Sequence, residues 1–439
     1  MTLWGDGAVE FKFFIELSDK GSGTGIWDTS VWDTGTWGGV AQDWTDITSW
    51  LMAAQFRYGR DRFIIGDVST GTATFTLEND DGTWTPNAGA AAPGLTPLRP
   101  GVWAQLLGRY TDTAMGAIPD ATTWTGITGR TWTAHGSLTL GESLTINEWI
   151  PLFTGRIADF RDQYSRSGGV VTQLQLLGAL QDLANFNPTA RSPDRAAEGT
   201  EERIHFLLDE LNWPTAMREV DTGRFDVEAD DLDSTYLNEA RITAVAEGGD
   251  FYADGRGFMI FRQADWLLED ERSRLVQLYA GDDDDDVQIS GAVSSWALTR
   301  IFNALYYANY AGGTSIVSDA TSQSKYGERS LRRVVPTADS GDQEGIANRD
   351  LAILKSDQLR IERVTIEPVE RTGSVFGLNV KIGDLVELTV RVRDDLSSDW
   401  EYTVQAVVAG IAMTVLPDDW RVILNVDTRA GAVIVEPVD

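Results

Sequence analysis

Side chains able to do covalent or acid–base chemistry are scarce in this chain of 439 residues. There is no cysteine and there are two histidines, which excludes disulfides, thiolate chemistry and His-rich metal sites. His135 sits in the polar stretch TWTAHGSLT and reads as an exposed loop residue, while His205 falls inside an amphipathic helical pattern, at a surface. Catalysis needs a placed nucleophile or an acid–base pair with shifted pKa values. No G-x-S-x-G elbow, H-E-x-x-H helix or P-loop lysine occurs. With 67 carboxylates, acidic pairs arise everywhere and counting singles out no glycosidase dyad. Asp282, Asp283, Asp284, Asp285 and Asp286, in GDDDDDV, offer oxygen ligands to a cation. They lack the ligand alternation, turn glycine and terminal Glu of an EF-hand, and a run of like charges reads first as a solvated loop. The expectation is a protein that is not an enzyme and carries no cofactor or metal.

The stretch GIWDTSVWDTGTWGGVAQDW holds four of the sixteen tryptophans. Two chemistries fit it: a platform of indoles for sugar, or an aromatic anchor against another subunit. Trp44 leads WTDITSWL, whose Ile47, Trp50 and Leu51 look like the entry to a core. Trp27, Trp32 and Trp37 recur every five residues, with glycine and Asp-Thr between them, as in a tight hairpin or wound loop. Exposed indoles at this density are costly unless a partner covers them, and aromatics are favoured interface anchors. Burial of Trp27, Trp32 and Trp37 against a neighbouring subunit is therefore expected, with receptor contact as the alternative.

The elements that must position these residues are mostly strands. FKFFIEL, GTATFTLEND, GVWAQLLGRY, WIPLFTGRIADF and GVVTQLQLLGAL alternate or run apolar, punctuated by glycine and proline. The composition changes near residue 200. TEERIHFLLDELNWP spaces Ile204, Leu207, Leu208 and Leu211 as an amphipathic helix, with Thr200 as its expected cap and Pro214 beyond its end. LNEARITAVAEGG reads as a second helix and FYADGRGFMIFR as a hairpin around Asp254-Gly255. Strands return from about residue 290, interrupted by a helix in GIANRDLAILKSDQ with Ala347, Leu351 and Leu354 on one face.

The fold class expected is mainly β with α+β. Residues 1–195 form a first β-barrel domain with insertions at 18–43 and 111–148, residues 196–275 a small α/β module, and residues 276–439 a second β-barrel domain. The two β-rich parts resemble each other: a Gly-led strand, a Trp-led strand broken by a central glycine (Gly155, Gly410), then an alternating strand. The net charge of −31 repels a phosphate backbone, so specific nucleic-acid binding is not expected. The opening MTLWGDGAVEFKFFIELSDKG has no basic-then-apolar leader and no run of about 18 apolar residues follows, so a soluble protein made in a cytoplasm is expected.

Several segments, in order, resemble the hub proteins of phage tails, the group that includes late control protein D. They are most similar to the minor tail proteins of actinobacterial siphophages. The resemblance is carried first by Trp44 to Asn87, at Gly59, Arg60, Phe63, Gly71, Thr72, Ala73, Leu77, Asn79, Asp81, Gly82 and Pro86. LRPGVWAQL, PLFTGRIADF and ERIHFLLDELNWP follow. GDFYADGRGFMIFR comes next, and then Asn303, Asp319, Ser324, Tyr326, Gly327 and Arg329.

The resemblance implies two tail-tube-like β-barrels joined by a small α/β module. Three chains would give six barrels in a ring at the virion's tail tip, joining the sixfold tube to a threefold tip and lining the DNA exit channel. The implied partners are further copies of the chain, a distal tail or tail tube protein, the tape measure protein and other tail-tip or receptor-binding proteins. Host cell-wall contact is a further expectation. DNA would pass through without specific binding, repelled by acidic walls, for which Asp282–Asp286 are the candidate loop. A hexameric distal tail protein and a carbohydrate-binding tip protein are the alternatives. The chain closes after its last strand pattern, so no lytic domain is carried over from the hubs that have one.

Overall fold

The computed structural model describes residues 2–4, 8–16, 44–60, 68–85, 100–111, 149–164, 169–186, 194–281, 287–295, 300–356, 360–368, 371–392, 400–417 and 419–437. The chain is mainly β with helices, organised around one sheet of fourteen strands. The alternation read from the sequence puts one face of each strand inside. Ala73, Phe75 and Leu77 are buried while the threonines between them are half-exposed.

Hydrogen bonding within this sheet follows two circuits. In the first, strand Ala8–Glu16 pairs with Trp103–Thr111, then Ile150–Tyr164, Val170–Gly178, Ser69–Glu78 and Leu51–Gly59, every step antiparallel. The circuit returns to its start because Trp44–Asp46, one turn of 3-10 helix before Leu51, pairs with Phe14, Ile15 and Glu16. In the second, Val276–Gly281 pairs with Leu385–Val392, then Trp400–Val415, Trp420–Pro437, Arg360–Ile366 and Val287–Ser295. It returns through Ala280 and Gly281 against Val287 and Gln288. The spatial order relative to the chain is the same in both circuits. They differ in direction at one strand: Val276–Gly281 lies parallel to both neighbours.

The circuits join edge to edge. Gly410–Val415 pairs antiparallel with Ala54–Gly59, and Phe11 meets Trp420 edge-on at 5.5 Å between ring centroids. Gly59 and Gly410 face each other at this seam; a Cβ on Gly410 would lie 2.6 Å from the Arg60 carbonyl oxygen. Gly155 has the same role in the first circuit, where a Cβ would lie 2.5 Å from the Leu177 carbonyl oxygen. The two glycines that mark the repeat are thus positions where neighbouring backbone leaves no room for a side chain.

Between the circuits sit the helices Thr200–Glu210 and Tyr236–Glu247 and the hairpin Asp250–Ala253/Met259–Arg262. Ile204, Leu207 and Leu208 are fully buried, as their spacing indicates. Thr200 does not cap its helix: it is the first helical residue, Gly199 occupies the cap, and the Thr200 hydroxyl donates to Glu247 at 2.7 Å.

Residues 300–356, read from sequence as part of the second β-rich region, form a separate layer. Strand Ala304–Ala308 pairs with Thr314–Ser318 and Ser330–Val334, and helix Ser340–Leu354 covers one face of this sheet. Leu305, Tyr307 and Val317 pack there against Ile346, Ala347, Leu351 and Leu354. Among the described residues, no helix is long and apolar enough to cross a membrane.

Candidate functional site

The densest buried polar chemistry lies where the small module meets the two circuits. Each circuit is tied to the module by one buried Arg–Asp pair. Arg60, just past the strand Leu51–Gly59, forms an ion pair with Asp250 at the start of the hairpin, both side chains being more than nine-tenths buried. Arg272 of the module grips Asp384 at the entry to strand Leu385–Val392 with two bonds, Nε to Oδ1 at 2.6 Å and Nη2 to Oδ2 at 2.5 Å. Asp384 is fully buried and also accepts from the Lys381 amide at 2.9 Å. Burial holds the Asp384 carboxyl above the usual carboxylate range, against the pull of Arg272.

Trp266 bridges the two anchors. Its Nε1 donates to Asp250 Oδ2 at 2.8 Å, while its ring lies on Gly383, where any side chain would run into the indole. Gly383 has φ +95°, a conformation that favours glycine. Ser273 Oγ closes the contact by donating to the Gly383 carbonyl at 2.7 Å.

A second network lines a neighbouring cavity of about 250 Å³. Arg256 bonds Asp254 at 2.5 Å and Glu219 at 2.6 Å, and Arg262 bonds Glu219 at 2.9 Å and Asp221 at 3.0 Å. Burial raises the Tyr252 phenol to about 12 and pushes Tyr58 up further. Asp254 also moves up through burial, countered by Arg256. A larger cavity of about 420 Å³ opens beside Trp266, lined by both apolar and charged groups, Arg241 and Arg349 among them. In these networks the carboxylates are engaged by guanidinium or amide donors, an arrangement that fixes the angle between parts. Among the described residues, no group of three or more His, Asp or Glu is arranged to hold a metal ion.

The candidates singled out from sequence are not brought together here. Trp27, Trp32, Trp37, His135 and Asp282–Asp286 lie outside the described residues. His205 is exposed on its helix. Two asparagines that carry the family resemblance are internal staples. Asn79 donates to Thr172 and Thr85 and accepts from the Trp84 amide; Asn303 donates to Ser322 and Gly327 and accepts from the Arg329 amide. Asp319 caps the helix Ala320–Tyr326 and holds Lys355 at 2.9 Å. The amide of Ser322 and the ammonium of Lys355 pull its carboxyl below the usual range. Of the anchor residues, Arg60 follows Gly59 in the resemblance and Asp250 falls in the hairpin segment GDFYADGRGFMIFR, but nothing in either segment pairs the two.

These circuits and their joint share their fold with solved structures of tail proteins. The chain is similar over 97% of its length to 96% of a tail protein from Neisseria meningitidis MC58, with a TM-score of 0.56 at 12% identity. It is similar over 95% of its length to 98% of the 43 kDa tail protein of prophage MuSo2 from Shewanella oneidensis, with a TM-score of 0.54 at 11% identity. No protein-family model matches the chain, and no curated protein matches it in sequence.

Proposed function

We propose that this chain is a structural, non-enzymatic subunit of a phage tail, forming the hub at the tail tip. The observation that carries this reading is the strand order repeated in two circuits within one chain, in a fold shared end to end with tail proteins. Two related β domains per chain let three chains present six similar units, which matches a threefold tip to a sixfold tube by closed symmetry. The partners are then two further copies, the distal tail or tube protein above and tip proteins below. The buried Arg–Asp anchors hold the two β domains at a fixed angle, as a ring of alternating units requires. With a net charge of −31, carboxylates facing the bore would repel passing DNA, and at physiological salt only charges within about 8 Å of it are felt.

The native mass of the assembled full-length chain tests this reading. Three chain masses are expected. Six would favour a distal tail ring, and a persistent monomer would overturn the hub.

A further inference from the structure

Strand Val287–Ser295, VQISGAVSS, holds no charged residue and no proline, in a protein where 23% of residues are charged. Its pairing with Arg360–Ile366 occupies one side. On the other side only Val287 and Gln288 are met, by Ala280 and Gly281; from Ile289 on, no strand among the described residues follows. Gly291, Ala292, Val293 and Ser294 are exposed. Edge strands commonly carry a lysine or proline that discourages pairing, and this one has neither. Its two register shifts are no obstacle, because strand Leu51–Gly59 also has two and is paired on both sides. A second open edge lies in the first circuit. Ile150–Tyr164 keeps Val170–Gly178 on one side as far as Tyr164, whereas Trp103–Thr111 on the other reaches only to Arg156. Tyr164, at the end of this overhang, is 73% exposed.

These two edges are the counterparts of the two strands that already meet inside the chain. The amides of Gly101 and Gly383 donate to the carbonyls of Ile157 and Val408, at 2.7 and 2.8 Å, and a register shift follows each. Beyond it, Phe160, Leu174, Phe75 and Ala54 lie abreast in the first circuit. Ile411, Leu424, Val364 and Ala292 lie abreast in the second. Ala292 therefore stands where Ala54 does, and Tyr164 stands where Val415 does. At the seam Ala54 pairs with Val415, and both are fully buried. Their counterparts Ala292 and Tyr164 are exposed. The chain thus contains one such joint already formed and the two halves of another left open.

We infer that strand Val287–Ser295 of one copy pairs antiparallel with the Arg161–Tyr164 end of Ile150–Tyr164 in the next copy, repeating the seam between chains. The register of the existing seam sets Ala292 opposite Tyr164 and Val293 opposite Gln163. Continuity with that seam selects a second copy as the occupant: each open edge has its proper partner strand elsewhere in the same sequence. The two edges are unlike, so the contact is head-to-tail, the kind that closes into a ring when the rotation per copy permits. In a ring of three chains, joints within chains alternate with joints between them, all of one kind. The inference rests on the ring-forming reading above and adds the strands by which neighbouring copies recognise each other.

The chain has no cysteine, so introduced pairs report this register without background. Directly opposite residues of antiparallel strands hold their Cβ atoms about 4.5–5.5 Å apart, near enough for a disulfide to form. The full-length Ala292→Cys/Tyr164→Cys variant is expected, once oxidised, to run at two and three chain masses on a denaturing gel, and at one after reduction. A shift of one residue turns a side chain to the other face, so Ala292→Cys/Gln163→Cys should cross-link far less. Ala292 and Tyr164 are exposed, so thermal unfolding of the reduced variant should match wild type. Cross-linking by Ala292→Cys alone, or equally by the shifted pair, overturns the inference. An assembly of three chain masses that does not cross-link overturns it too and leaves the hub reading standing. A ladder that closes at six chains keeps the strand pairing and overturns the hub. A wild-type chain that stays monomeric overturns both.

Discussion

The two circuits reach one strand order by different routes. Every step of the first is antiparallel, and it returns to its start through a strand bent at Thr48–Trp50. The second runs Val276–Gly281 parallel to both neighbours. Residues 60–68 separate Leu51–Gly59 from Ser69–Glu78 in the first circuit. Residues 296–359 separate the corresponding strands of the second and include a whole sheet-and-helix layer. Connection length and even strand direction have thus been free to vary, while the order of neighbours and the two backbone-crowded glycines have not. Their anchors to the module are also reversed in polarity: the first circuit supplies an arginine, the second an aspartate.

That contrast breaks most visibly at the anchors. Arg272→Ala leaves Asp384 fully buried without its guanidinium and should cost about 3–5 kcal/mol in urea unfolding. Arg60→Ala should fall at the lower end of that range, because Trp266 still donates to Asp250. Equal losses would mean that the indole contributes nothing to the first anchor. Next in size are the paired glycines. Gly410→Ala and Gly155→Ala should each cost about 1–3 kcal/mol, since the added carbon meets backbone oxygens rather than flexible side chains. Similar thermal shifts for the two would sharpen the equivalence of the circuits, and a neutral Gly155→Ala would break it.

The smallest effect concerns Tyr252, between the circuits. Its phenol is raised from 10.0 to about 12, so its contribution to stability is present below pH 10 and fades as pH climbs towards 12. Ultraviolet titration should show a delayed phenolate that disappears in Tyr252→Phe. Ordinary titration of that tyrosine would show that the joint admits water.

Much of the local structure was legible because it is written in short-range patterns. Period-two alternation at Ala73, Phe75 and Leu77 and helical spacing at Ile204, Leu207 and Leu208 each report a buried face directly. The repeat was visible in Gly155 and Gly410 because steric exclusion leaves a residue-type signature. The joint was not legible. Arg60 meets Asp250, and Arg272 meets Asp384, across separations that no window of sequence spans, and in a chain so rich in carboxylates no single aspartate stands out. The independence of residues 300–356 was hidden for a related reason: their strands alternate like those around them, and only pairing partners tell the sheets apart. Thr200 shows the limit at finer scale, because one residue's shift in helix start converts an expected cap into a partner for Glu247.

The seam between the circuits has a mechanical consequence. Its six residue pairs, Gly59 with Gly410 through Ala54 with Val415, are hydrogen-bonded across the strand direction. A pull along the strands loads all of these pairs together in shear, whereas a pull across them opens one pair at a time like a zipper. The molecule is therefore stiff to sliding of one circuit past the other and compliant to peeling, and the Arg60–Asp250 and Arg272–Asp384 clasps stand by the Gly59–Gly410 end of the seam, where they resist opening from that end.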